Sequence, residues 1–346
     1  MSASSITGTT RRRFITTLAV AATAVPVTAA CGSAAGSAGH TRTLRYQGWT
    51  GQVTLPELAA DLGYLGDVRL KWIGNTISGP QDVQSAATGQ VDFGGAFNGA
   101  VIKLQAAGAP ITSVIGYYGT DKKYYNGFFV LNGSPIKGPR DLIGKKIGMN
   151  TLGGHSQAVL DLYLRRNGLS TADIEKVEAL AVPPVTTEQS LRQGQIDVAA
   201  LSGIFQDKAI AAGGIRPVFK DYDFLGAFTA GSYVFRDDFI KRNPGTVRAF
   251  TAGIAKTIEW TRTTPRAEVV ARMTKILKAR GRNENADALQ YWKSAGVAEK
   301  GGVLTDREFD TWRTWLEQVG QIPKGKVKVS DLYTNEYNPY ASGGGR

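Results

Sequence analysis

The chain has 346 residues, 42% hydrophobic and 20% charged, which is ordinary globular composition and length enough for about two domains. Lysine and arginine outnumber aspartate and glutamate by 41 to 29, a formal charge of +12 that falls to +9 without Arg11, Arg12 and Arg13. The basic residues are scattered, with no stripe of Lys and Arg interleaved with aromatics, so the excess suits an anionic surface or plain solubility and argues against nucleic-acid binding.

The first residues read as address rather than fold. "TRRRFIT" (10–16) precedes an Ala/Thr-rich run over 14–30, too short and too weakly apolar for a membrane-spanning helix. It resembles a twin-arginine signal, which exports prefolded proteins; an ordinary secretory leader is the alternative. Cys31 is the only cysteine, which excludes an intramolecular disulfide. The run "VTAAC" followed by "GSAAGSAG" resembles a bacterial lipoprotein box, with Cys31 as the acylated N-terminus and a small-residue tether behind it. Thr28 departs from the usual Leu of such boxes, and cleavage near Ala30 is the alternative. The expectation is a signal peptide over 1–30, a tether over 31–42 and an extracytoplasmic body lipid-anchored to the cell membrane. From Arg42 onward no run of 18 apolar residues occurs.

In the body, "TLRYQGW" (43–49) alternates apolar and polar residues as a strand does, and stops at Gly48. "TLPELAADLGYL" follows as a helix, with Thr54 as cap and Pro56 in the first turn. Then come a strand at 67–73, a short helix ended by Gly89, a strand in "VDFGG", a helix in "NGAVIKLQAAG" and a strand in "PITSVIGYY". The pattern restarts at "KKIGMNTL" (145–152) with a strand, the helix "SQAVLDLYLRRNG", the strand "IEKVEALAV", the helix "TTEQSLRQG" and the strand "QIDVAAL". Strands alternating with helices imply mainly parallel sheets covered on both faces.

The restart is written into the residues. "QSAATGQVD" (84–92) and "QSLRQGQID" (189–197) share Gln, Ser, Gly, Gln and Asp without a gap, 105 positions apart. Each is a helix–strand corner: Gly89 and Gly194 suit the left-handed turn that ends a helix, and Asp92 and Asp197 open the next strand as structural residues. Beyond a strand in 226–235 only helices are expected, near 265–280, at 284–294 and in "TDREFDTWRTWLEQVG". That last helix carries a Thr305/Glu308 capping box and an apolar face of Phe309, Trp312, Leu316 and Val319. The late strand suggests that the chain crosses back to complete its first half.

Taken in order, "TGQVDFGGAFNGA", "IKGPRDLIGKKIGMNTLGGHSQAVLDLYLRRNGLSTADIEKV", "SLRQGQIDVAAL" and "DDFIKRNPGTVRAF" resemble the extracytoplasmic substrate-binding proteins of ABC importers, in the nitrate/sulfonate/taurine group. The resemblance spans about 43–340. It implies an α/β, two-lobed periplasmic-binding-protein fold of type II, each lobe a mainly parallel sheet flanked by helices. Lobe I would comprise 43–127 and 232–346 and lobe II 128–231, with hinge crossings near 126–131 and 227–233. The implied partners are a small-molecule ligand and a membrane permease, for a monomer that carries no cofactor, metal or catalytic residue.

In open α/β sheets ligands collect where strand ends meet helix N-termini, with their free N–H groups. The corresponding loops are 47–51, 74–78, 95–98, 117–119, 150–156, 183–187 and 201–204, and they contain no Lys, Arg, Asp or Glu. Such loops suit an anionic head or a flat ring stacked on Trp49, Phe97 or Tyr117. Gln47, Trp49 and Thr50 follow the first strand; core packing is the alternative for Trp49. Asn98 opens a helix, as ligand contact or as cap. Thr151, Gly153, Gly154, His155 and Ser156 form the preferred anion loop, with capping by Ser156 or Thr151 as its alternative. Asn75, Thr76, Ser202 and Ser232 complete the candidates.

Other chemistry is disfavoured. "GHSQA" (154–158) nearly matches a nucleophile elbow, but a triad needs a histidine after the serine, and only His40 and His155 exist. "GPRDLIGKK" has one residue too many for a phosphate loop, and Lys where Ser or Thr belongs. No cysteine or histidine pair in the body suggests a metal. The alternatives to transport are an enzyme of the same fold related to pyrimidine-precursor synthases, and a ligand sensor that serves no transporter.

Overall fold

In the computed structural model, residues 41–341 are described; the expected leader, Cys31 and nearly all of the expected tether lie outside them. The first lobe begins with β1 (Thr43–Gly48), α1 (Leu55–Asp61), β2 (Arg69–Asn75), α2 (Gly79–Ala87), β3 (Phe93–Phe97), α3 (Asn98–Ala106) and β4 (Ile111–Thr120). The second lobe follows with β5 (Asn126–Leu131), β6 (Lys146–Met149), α4 (His155–Arg166), α5 (Thr171–Ile174), β7 (Glu178–Ala181), α6 (Pro184–Arg192), β8 (Val198–Ser202), α7 (Gly203–Ala212), β9 (Ile215–Lys220) and α8 (Asp221–Leu225). The chain then returns through β10 (Phe228–Arg236), α9 (Asp237–Arg242), α10 (Pro244–Thr263), α11 (Arg266–Ala279) and α12 (Asp306–Gln318).

Local signals set the helix ends. Thr54 and Glu57 form a capping box at α1, with Pro56 in its first turn, and Thr305 and Glu308 do the same at α12. Gly89 and Gly194 take φ of 78° and 69°, where a side chain would be strained. The helix expected at 284–294 is a single 3-10 turn, Asp287–Tyr291. Asn285 Oδ1 accepts from the Asp287 N–H at 2.6 Å, and the Arg266 guanidinium donates to the carbonyls of Gln290 and Trp292, so those carbonyls serve another helix.

The second-lobe sheet runs β7-β6-β8-β5-β9. In the first lobe β2 pairs with β1, and β10 lies between β3 and β4. The expectation of mainly parallel sheets is corrected: β1–β2, β6–β7 and β6–β8 are parallel, but β5 and β10 run antiparallel to both their neighbours. These two strands enter from the opposite lobe, so they meet the sheet from its far end. The chain leaves the first lobe between Thr120 and Asn126 and returns between Leu225 and Phe228.

The repeated sequence builds the same joint twice. Asp92 N–H donates to Arg45 O at 3.0 Å while Asp92 Oδ2 accepts from Arg45 N–H at 2.7 Å. Asp197 N–H donates to Lys146 O at 2.9 Å and its Oδ2 accepts from Lys146 N–H at 2.8 Å. Asp92 thus clasps β1 and Asp197 the start of β6, which sets β3 beside β1 and β8 beside β6. The glycine three residues earlier turns the chain into that position. Asp92 alone also pairs with a guanidinium, Arg45 Nη2 lying 2.7 Å from its Oδ1.

Apolar burial holds these layers together. Trp312, Phe309 and Leu316 of α12 are all but fully buried against α3 and β10, and Phe93, Phe235 and Phe250 form a second cluster beneath β1 and β4. Replacing Asp92 by Ala strips the part-buried Arg45 N–H of its partner and the guanidinium of its counter-charge, and should lower stability by about 1–3 kcal/mol in urea unfolding. Asp197→Ala should cost less, because its joint is more exposed and has no guanidinium. Equal, negligible losses at both positions would contradict the clasp.

Candidate functional site

A cavity of about 260 Å³ lies between the two lobes. The first lobe contributes Trp49 from the loop after β1, Gly79 and Pro80 at the start of α2, Phe97 from β3, and Tyr117 and Tyr118 from β4. The second contributes Asn150, Thr151, Gly154, His155 and Ser156 at the start of α4, Pro184 and Thr187 of α6, and Ser202 to Phe205 opening α7. α2, α4, α6 and α7 therefore present their first residues to one space, as does α1 with Thr54 and Leu55. Gly154, the N-cap of α4, makes no side-chain cap bond, and neither does Ser202 before α7, so neither cap's side chain occupies the helix's first N–H groups.

Ser156 is 8% exposed and accepts from Asn126 Nδ2 at 2.8 Å, which leaves its hydroxyl hydrogen free to donate. His155 stacks on Phe97 with ring centroids 5.3 Å apart, and its Nε2 lies 3.6 Å from Asp221 Oδ2 without forming a hydrogen bond. Burial pulls the imidazole pKa down to about 3, so at neutral pH this contact is not an ion pair. Asp221 is fully buried, accepting from Thr120 Oγ1 at 2.7 Å and from Asn126 N–H at 3.0 Å. It joins the two ends of the first crossing, and burial pushes its carboxyl up to about 7 despite those bonds.

The loop that carries Trp49 is held from the far end of the chain. Arg280 Nη2 donates to Trp49 O at 3.2 Å, and Glu284 Oε1 accepts from Gly51 N–H at 3.0 Å. Arg280 and Arg282 converge on Glu57 at 3.0 and 3.1 Å, and the Tyr46 hydroxyl donates to the same carboxylate at 2.8 Å. This buried network fixes the loop from behind and stays off the cavity wall.

Of the residues singled out in the sequence, Trp49, Phe97, Tyr117, Thr151, Gly154, His155, Ser156 and Ser202 meet at the cavity. The others lie elsewhere. Thr50 and Asn75 are exposed and bond each other, Asn75 Nδ2 to Thr50 Oγ1 at 3.1 Å. Thr76 is buried with its hydroxyl donated to Ser78 O. Asn98 is neither a wall residue nor the cap: Phe97 holds the N-cap position, and Asn98 Nδ2 points to Thr229 O and Glu308 O in the core. Ser232 shares a buried hydroxyl bond of 2.7 Å with Ser113. Gly153 gives its N–H to Gln157 Oε1 at 2.6 Å, and the buried Gln47 Oε1 has no partner.

Tyr118, in the expected 117–119 loop, also lines the cavity, and so do Tyr124, Asn126, Tyr233, Trp292 and Ser294, which were not anticipated. Tyr233 lies on β10, the strand that returns from the second lobe, and Trp292 and Ser294 belong to the segment after α11, so no local pattern marks them. Asn126 did carry a signal, a lone amide opening the apolar run "GFFVL". Among the described residues no helix is long and apolar enough to cross a membrane, and no group of three or more His, Cys, Asp or Glu is placed to hold a metal ion.

Two lobes built on mixed sheets, joined by two crossings and facing a shared cavity, make this the two-lobed periplasmic-binding-protein fold. The chain belongs to the NMT1/THI5 like family, whose model matches residues 58–268. Over 211 residues it is 26% identical to an Escherichia coli (strain K12) protein named for aliphatic sulfonate binding; the match covers 60% of this chain and 62% of that protein. Its fold is similar to the alkanesulfonate-binding protein SsuA of Xanthomonas axonopodis pv. citri bound to MOPS, at TM-score 0.66 and 20% identity over 85% of this chain and 99% of the other. It is also similar to the periplasmic nitrate-binding protein NrtA of Synechocystis PCC 6803, at TM-score 0.65 and 12% identity over 86% and 87% of the two chains.

Asp82 provides a pH test of the cavity floor. Its Oδ2 accepts from Gly95 N–H at 2.7 Å, its Oδ1 is buried without a partner, and burial raises its pKa from 3.8 to about 7. The folded carboxyl keeps its proton up to about pH 7 whereas the unfolded one ionises near 3.8, so across that window the unfolded chain holds fewer protons and rising pH favours unfolding. Asp82→Asn removes this loss. Relative to the parent, the variant should gain stability steadily from about pH 4 to 7 and then level off, read as urea midpoints at fixed ionic strength. A pH-independent difference would show an ordinary carboxyl.

Proposed function

We propose that this protein captures a small anionic organic solute between its lobes and delivers the closed complex to an importer permease in the membrane. The observation that carries the reading is the convergence of the α2, α4, α6 and α7 N-termini on one cavity, with the Ser156 hydroxyl and the first N–H groups of α4 free to donate. Trp49, Phe97, Tyr117, Thr151, Gly154, His155, Ser156 and Ser202 are the residues proposed to contact the solute. The relatives named for sulfonate and nitrate binding support this class of ligand. Binding is followed by hinge closure about the crossings at 120–126 and 225–228, without bond chemistry, in a monomer. Cys31 is proposed as the acylated N-terminus that tethers the body to the outer side of the membrane. Cys31→Ala should then move the protein from the membrane fraction to the soluble one, and an unmodified mature N-terminus in mass spectrometry would end that part of the proposal.

A solute that binds only the folded state raises stability by about 2.7 kcal/mol at 100 times its dissociation constant. In a thermal-shift screen of sulfonates, taurine, nitrate, and pyrimidine and flavin precursors, a sulfonate should raise the melting temperature. A response confined to neutral heterocycles, or turnover of any added compound, would overturn the anion-carrier reading. Gly154→Leu places a branched side chain where a Cβ already meets Thr151 Cγ2 at 2.7 Å, and should weaken that sulfonate at least tenfold while the unliganded protein still melts cooperatively. Unchanged affinity in such a variant would remove the α4 terminus from the site.

A further inference from the structure

The wall of the cavity discriminates among anions. None of its lining residues is Lys, Arg, Asp or Glu. Its one imidazole, His155, is held neutral by burial, its pKa being pulled down to about 3. Across the floor the rings of Phe97, His155, Tyr118, Tyr117 and Tyr233 follow one another with centroids 5.3, 6.0, 4.9 and 4.1 Å apart, and all five line the space. Tyr117 and Tyr233 are stacked at 22°, with Gly95 beneath them; a Cβ at Gly95 would meet Tyr233 at 2.8 Å and Tyr117 at 2.9 Å. A residue larger than glycine would displace both rings, so the floor is built to hold them.

Each class of anion meets this wall differently. A zwitterion such as taurine must bury an ammonium group, and no lining carboxylate is there to receive it. A dianionic head seated at the start of α4 sets two charges against one helix terminus that offers about half a unit, with no cationic side chain among the lining residues to neutralise the second. An inorganic ion the size of nitrate leaves most of the 260 Å³ space filled with water and the rings uncovered. A flat ring carrying one diffuse negative charge fits both features. Its face covers the tyrosine floor in offset or edge contact. Its head takes the free N–H groups of α4 and the Ser156 hydroxyl, which is nine-tenths buried and has its hydrogen unused.

We infer that the solute is an aromatic monoanion of the arylsulfonate kind, with its ring over Tyr117, Tyr118 and Tyr233 and its head at the start of α4. This rests on the proposed solute-binding reading and narrows it to a chemical class. Isothermal titration of the full mature protein with benzenesulfonate, cyclohexanesulfonate, taurine and phenyl phosphate separates the two. Benzenesulfonate should bind at least tenfold tighter than cyclohexanesulfonate, which has the same head on a saturated ring of similar size. Taurine and phenyl phosphate should each bind at least a hundredfold more weakly than benzenesulfonate. Tyr117→Leu should bring the two ring sulfonates to within threefold of each other. Equal or tighter binding of cyclohexanesulfonate, or tight binding of taurine, would overturn the aromatic class and leave the anion reading in place. If no sulfonate binds to cooperatively melting protein, both fail together.

Discussion

The geometry of the cleft depends on one buried carboxylate. Asp221 sits where the chain is about to leave the second lobe and grips both ends of the segment by which it entered, Thr120 at the end of β4 and Asn126 at the start of β5. A fully buried acid is costly to ionise, and it is tolerated here because each oxygen accepts a hydrogen bond. From that anchor the neighbouring placements follow. Asn126 is fixed through its backbone and spends its amide on Ser156. His155 is lodged between Asp221 and the Phe97 ring, so the first turn of α4 faces the gap with its N–H groups uncovered. The polar chemistry at the cavity wall thus descends from a joint whose first duty is to hold two lobes in register.

A second constraint works from the other side. The Trp49 loop has little structure of its own and takes its shape from Arg280 and Glu284, more than 200 residues away, with Glu57 and Arg282 completing the network. Two arginines and two glutamates with mutual hydrogen bonds meet the condition under which buried charge is tolerable. Their placement behind the loop explains how a wall without charged side chains can stand on a highly charged support. Rigid backing of this kind keeps an indole in one orientation without a formal charge beside the solute.

Much of this was legible in the residues. The duplicated Gln-Ser, Gly-Gln and Asp pattern announced two copies of one corner, because a left-handed turn needs glycine and a clasp needs a short carboxylate. Capping boxes and glycine stops located most helices, including α1 and α12. Most of the wall residues found were those in loops between a strand and a helix, since such loops read as small and polar and their position in an α/β lobe is fixed by topology; Phe97 and Tyr117 lie on β3 and β4 themselves. The failures have a common origin. Asn98 and Ser232 have the same chemistry as true wall residues, but α12 and β4 pack over them, and only distant segments decide that. Tyr233 and Trp292 arrive from parts of the chain whose nearness to the cleft is set by the return crossing. Parallel pairing was overestimated because the two crossing strands look, in sequence, like any others.

The position of β10 has a consequence for how the molecule comes into being. It is the middle strand of its sheet, yet it is made only after the whole second lobe, so during synthesis β3 and β4 wait with bare edges for a partner more than a hundred residues downstream. Unpaired edges of that kind invite sticking to other chains. A ribosome-bound or threaded intermediate therefore cannot close its amino-terminal half piecemeal, and assembly must wait until the polypeptide is nearly finished.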